Sequence, residues 1–102
     1  MKRLNVHIPQ HELASFCRRH YIRRLALFGS SLRTDFRPDS DVDVLVEFEP
    51  EHVPGFLQMA RMRSELSRLL GGRKVDLCTP QALSKLFRDE VCASAEVQYE
   101  QQ

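Results

Sequence analysis

Apolar positions along this chain repeat with two periods, and the switches between them mark out its elements. Behind Pro9, residues Leu13, Phe16, Cys17 and His20 recur at i, i+3, i+4 and i+7, which predicts a helix with proline in its first turn. The short run "RLALF" at 24–28, closed by Gly29, predicts a buried strand, and Ser30 can cap a short helix through Arg33. "TDFRPDS" at 34–40 is turn chemistry. From Asp41 to Phe48 the period drops to two. Val42, Val44, Val46 and Phe48 fall on one face, and Asp41, Asp43, Leu45 and Glu47 on the other. A helical stripe returns in "FLQMARMRSELSRLL", where Phe56, Met59, Met62, Leu66, Leu69 and Leu70 line up ahead of Gly71-Gly72. "KVDLC" predicts a third strand with Val75 and Leu77 inward and Asp76 opposite. Thr79-Pro80 opens another helix, with Leu83, Leu86 and Phe87 as its apolar side. Beyond Arg88 the pattern predicts helix as far as Ala95, then a short strand at "EVQY".

This order predicts an α/β (α+β) fold: a small mixed sheet with helices packed on one face, and the face of Asp41, Asp43 and Asp76 left open. A length of 102 residues predicts one domain spanning 1–102. Hydrophobic residues at 42% and charged residues at 28% are ordinary for a soluble globular protein. Lys plus Arg is 15 against 14 for Asp plus Glu, so net charge points to neither nucleic acid nor membrane. Cys17, Cys78 and Cys92 show no metal-like or CxxC spacing, which predicts reduced thiols and a cytoplasmic location. No run approaches the ~20 apolar residues of a membrane span, and the N-terminal stretch has no signal-peptide core.

The aspartates carry the chemistry. Two apart on a strand, Asp41 and Asp43 point the same way with Cα atoms roughly 6.5–7 Å apart. Carboxylates that close repel unless a cation lies between them. Asp76, on the matching face of the next strand, can supply a third, and hard ions such as Mg²⁺ prefer these oxygen ligands. Three converging aspartates suit a two-metal site that clamps attacking and leaving oxygens. The Gly29-Ser30-Ser31 turn supplies a complement: free backbone N–H groups and two hydroxyls for phosphate, with glycine allowing close approach. Arg33 or Arg37 can neutralise phosphate charge. No GK[ST] follows, so the turn is not a Walker A loop.

Gly29-Ser30, ten residues, then Asp41-Val42-Asp43 resembles the GS-x10-DxD signature of the DNA-polymerase-β-like nucleotidyltransferases. The wording "RPDSDVDVLVEF" and the short chain are most similar to the minimal nucleotidyltransferase group, the antitoxin partners of HEPN-domain toxins. Many relatives read "GSRARG" where this chain reads "GSSLRT", so Thr34 replaces a glycine while Arg33 is retained. The resemblance implies transfer of AMP from ATP, with two Mg²⁺ ions, to a tyrosine of a HEPN ribonuclease toxin, which is thereby silenced. It implies Asp41, Asp43 and Asp76 as catalytic metal ligands, and Gly29, Ser30, Ser31 and Arg33 as nucleotide-binding residues. Two other readings fit the same residues: an antitoxin that neutralises by binding alone, and a stand-alone transferase acting on a small hydroxylated molecule. A chain this short predicts that the acceptor docks on the core itself, most simply as a partner protein.

Blander readings apply to the remaining residues. Glu47 reads as a solvated strand residue, the basic stretch "RRHYIRR" at 18–24 as a solvated helix end, and the four histidines as non-ligands. Met59 and Met62 read as core or partner contacts.

Overall fold

The computed structural model describes residues 8–32 and 41–101, with the backbone alone for Ser30. Arg33, Thr34, Arg37 and the turn expected at 34–40 lie outside the described residues. The elements follow in the order α1 (Gln10–Arg19), β1 (Ile22–Phe28), a 3-10 turn (Gly29–Leu32), β2 (Val42–Phe48), a 3-10 turn (Pro50–His52), α2 (Phe56–Leu69), β3 (Val75–Cys78), a 3-10 turn (Pro80–Ala82), α3 (Lys85–Ser94) and β4 (Glu96–Glu100). The strands form one sheet in the order β3-β2-β1-β4. β2 and β3 are parallel, whereas β1 runs antiparallel to both β2 and β4. The mixed sheet expected from the strand patterns is present.

One face of the sheet meets α1 and α2. Leu25 and Leu27 of β1, Val42, Val44 and Val46 of β2, and Val75 of β3 pack with Leu13, Phe16, Met62 and Leu66. Phe16 and Met62 are fully buried, and burying a side chain of that size contributes about 1.5–3 kcal/mol. The strict alternation of β2 thus assigns its valines to the core and leaves the odd-numbered positions on the far face. α2 stops at Gly71 and Gly72, both with positive φ, where the Gly72 N–H reaches back to the Ser67 carbonyl.

The far face departs from expectation. Phe28 and Leu45 are buried there against Val91 of α3, with Cys78, Leu83, Cys92 and Ala95 around them. The helices therefore lie on both faces, while Asp41 and Asp76 stay exposed at the strand starts. The apolar side expected for the last helix also shifts, because Leu86 is 95% and Phe87 51% exposed. Leu83 sits in an extended link (ψ 146°) after the Pro80–Ala82 turn. α3 begins only at Lys85, and its phase turns Val91 inward.

Charged contacts tie the helices together. Glu65 of α2 accepts hydrogen bonds from Arg19 and His20 at the end of α1. The Arg19 bond, more than any other influence, holds the Glu65 carboxyl below its ordinary pKa. Arg24 pairs with Glu47 and Glu100 on the flanking strands. Much of the basic stretch at 18–24 is thus engaged within this chain. No helix among the described residues is long and apolar enough to cross a membrane.

Candidate active site

β1 ends where β2 and β3 begin, and the residues singled out by the sequence gather at that end of the sheet. In the ladder, Asp43 stands between Phe28 on β1 and Asp76 on β3. Neighbouring strands lie about 4.8 Å apart, and in-register positions on parallel strands share a face. Asp43 and Asp76 are therefore side by side. Asp43 is half-buried, whereas Asp41 and Asp76 are exposed. Pairing continues past the strand start, because the Val42 N–H donates to the Lys74 carbonyl at 2.8 Å. That bond holds Asp41 against the same β3 edge.

The electrostatics agree with this placement. The Cys78 thiol lies 3.9 Å from Asp76 Oδ1. Burial first, then the negative charges of Asp76 and Asp43, push that thiol up to about 11. One sulfur thus senses both carboxylates.

Gly29 occupies the left-handed region at φ +59°, and a Cβ there would stand 2.7 Å from Asp43 Oδ2. Two constraints therefore coincide at this residue: the turn needs a positive φ, and the Asp43 carboxylate fills the space a side chain would take. The Gly-Ser signature is thus a steric partner of the aspartate motif as well as a source of N–H donors.

Ser31 departs from its expected role. Its side chain is fully buried. The Asp43 N–H donates to Ser31 Oγ at 2.8 Å, and the hydroxyl in turn points at the Asp43 carbonyl oxygen, 3.3 Å away. A hydroxyl spent on the backbone of β2 is not offered to phosphate. It pins the turn to the strand and fixes Asp43 relative to Gly29. Nothing in the local sequence signals this bond, since its partner lies twelve residues along the chain.

The donor set fits a hard divalent ion: every candidate ligand is a carboxylate oxygen, the type Mg²⁺ takes, and one of them is already cradled by the glycine turn. Among the described residues no three His, Cys, Asp or Glu side chains enclose a common point. Asp41 and Asp76 also line a cleft of about 720 Å³ whose other wall comes from α2.

A mixed sheet that presents aspartates from two parallel strands to a Gly-Ser turn is the frame of a nucleotidyltransferase, and that is the enzyme class of this protein. The chain belongs to the Polymerase beta nucleotidyltransferase family, whose model ("Polymerase beta, Nucleotidyltransferase") matches residues 11–102. It is 28% identical over 92 residues to "Putative protein adenylyltransferase MJ0435" of Methanocaldococcus jannaschii, covering 90% of this chain and 96% of that relative. A solved structure of a "putative minimal nucleotidyltransferase" superimposes with a TM-score of 0.69 at 36% identity, over 84% of this chain and 85% of that one. The fold is shared with a toxin–antitoxin crystallised with AMP-PNP, at a TM-score of 0.72 and 18% identity over 93% of this chain and 76% of that one.

Proposed function

We propose that this chain is a magnesium-dependent protein adenylyltransferase that acts as an antitoxin, moving AMP from ATP to a tyrosine of a HEPN ribonuclease toxin in the cytoplasm. The observation that carries the reading is the meeting of Gly29, Asp43 and Asp76 at one end of the sheet. The adenylyltransferase relative supports AMP transfer to a protein, and the toxin–antitoxin of the same fold, crystallised with AMP-PNP, supports an adenine nucleotide and a toxin partner.

In this reaction the acceptor oxygen bonds to the α-phosphorus, the bond to the β-phosphate oxygen breaks, and pyrophosphate leaves. Asp41, Asp43 and Asp76 would hold the divalent ions, which supply charge neutralisation for the phosphates and lower the barrier to ionising the incoming hydroxyl. Asp76, exposed on β3 at the edge of the sheet, would favour deprotonation of that hydroxyl. The backbone N–H groups of Gly29 and Ser30 would hold the β- and γ-phosphates, and the absence of a side chain at Gly29 permits close approach. Ser31 acts on the reaction through Asp43, whose backbone it holds. Positioning and charge do most of the work in such chemistry, so a small site suffices.

The test uses α-labelled ATP, Mg²⁺ and a HEPN-domain ribonuclease as acceptor, sought first in the neighbouring gene. Label on a tyrosine of that protein, together with loss of its ribonuclease activity, is the expected result. A toxin that is neutralised without label would replace transfer with simple binding.

A further inference from the structure

We propose that the cleft between α2 and the β3 edge is the docking site for the acceptor polypeptide, and that it selects a hydroxyl flanked by anionic side chains. This rests on the nucleotidyl-transfer reading of the aspartates and adds the side from which the acceptor enters. In the sheet order, Asp43 on β2 has the Gly29 turn on its β1 side and Asp76 on its β3 side. Displacement at phosphorus requires attacking and leaving oxygens roughly in line on opposite sides. With pyrophosphate leaving toward the turn, the attacking oxygen comes from the β3 side, where the cleft opens.

The lining has the character of a binding surface for anions. Asp41 and Asp76 share it with Arg63, Arg68 and Lys74. All three cations are exposed, and none of the three joins an ion pair among the described residues. Once the two aspartates are committed to metal, the charge left for a ligand is positive. Arg63 and Arg68 stand on rigid helix, Lys74 two residues before Asp76 on the same edge. At about 720 Å³ the cleft accommodates several side chains of an extended segment beside the target hydroxyl. Charge complementarity of this kind gives specificity and on-rate.

The test measures binding and transfer separately, on the full chain. The probes are two fluorescent peptides, each with a single tyrosine, flanked by glutamates in one and by lysines in the other. Anisotropy in the absence of ATP should show the glutamate peptide binding at least about tenfold tighter, weakening with salt. The pair Arg63→Glu and Arg68→Glu should reverse that preference and leave the affinity for a fluorescent ATP analogue within about twofold; Arg63→Ala with Arg68→Ala, which should abolish it, serves if the reversal impairs folding. Equal binding of the two peptides, or loss of ATP affinity in either variant, would overturn the proposal. A wild-type charge preference without any labelling from ATP upholds the cleft and contradicts the transfer reading. Labelling that ignores the flanking charge does the opposite.

Discussion

Gly29→Ala is the perturbation whose consequences are most sharply set by the structure. At φ +59° the new methyl group incurs the left-handed penalty, about 1–2 kcal/mol for a residue with a Cβ. It also arrives 2.7 Å from Asp43 Oδ2, where contact at 3.4 Å or beyond is ordinary, so the carboxylate must move by several tenths of an ångström. The backbone at Asp43 cannot follow freely, because the Ser31 hydroxyl holds its N–H. Displacements approaching 1 Å cost such reactions up to about a hundredfold. The strained φ and the forced shift of the carboxylate together should cost about 2–3 kcal/mol in urea denaturation, more than the left-handed penalty alone, and about ten- to a hundredfold in AMP transfer. A domain of ordinary stability, about 5–15 kcal/mol, stays almost wholly folded after such a loss, so unfolding would not explain the drop in rate. Repeating the substitution on an Asp43→Ala background separates the two costs. There only the left-handed penalty should remain, and the difference between backgrounds is the steric coupling. Full activity of Gly29→Ala, or equal stability losses in both backgrounds, would refute the reasoning.

Four further outcomes follow from the packing and charges. Ser31→Ala leaves the Asp43 N–H buried without its partner and should cost about 1–3 kcal/mol in denaturant, with transfer reduced more than ATP affinity. Glu65 has its folded pKa lowered, so its stabilisation is present above the unfolded value of about 4.3 and is lost as pH falls through the folded value. Glu65→Gln should therefore destabilise by less than about 1 kcal/mol at neutral pH, the pair being largely exposed, and the gap from wild type should close in acid. Cys17 is fully buried, and desolvation raises its thiol to about 12. Iodoacetamide should modify Cys78 before Cys17, which should react only on unfolding. Above about pH 8.5 the unfolded chain releases thiol protons that the folded one keeps, so these two cysteines make stability fall as pH rises further.

Much of the fold was legible because alternation and helical stripes report burial directly. The valines of 42–46 assigned β2 its core face, and "KVDLC" put Asp76 beside Asp43, a register the parallel pairing reproduces. The far face was harder to read. Leu45 shares the side of Asp41 and Asp43, and an apolar residue there was the available hint that something covers it. The cover, α3, was given the wrong apolar side because the helix phase depends on where it starts. The proline turn and the extended link at Leu83 set that start, and no periodicity reports it. At the site, the sequence named Gly29 and Ser31 as phosphate-binding, from a strand that ends in glycine and opens a helix with free N–H groups and hydroxyls. Their contacts with Asp43 arise only when the turn folds against β2, which makes the glycine a steric necessity and the serine a strut.

The central claim is that Asp41 and Asp43, at the start of β2, direct attack at the α-phosphorus. It is tested most directly by offering the enzyme, Mg²⁺ and the HEPN acceptor either α-labelled or γ-labelled ATP, in parallel with the pair Asp41→Asn and Asp43→Asn. The account predicts label on the acceptor from the α position alone, release of γ-label as pyrophosphate, and loss of both in a variant that remains folded. Acceptor labelled from the γ position, or undiminished α-labelling by the folded variant, would contradict it.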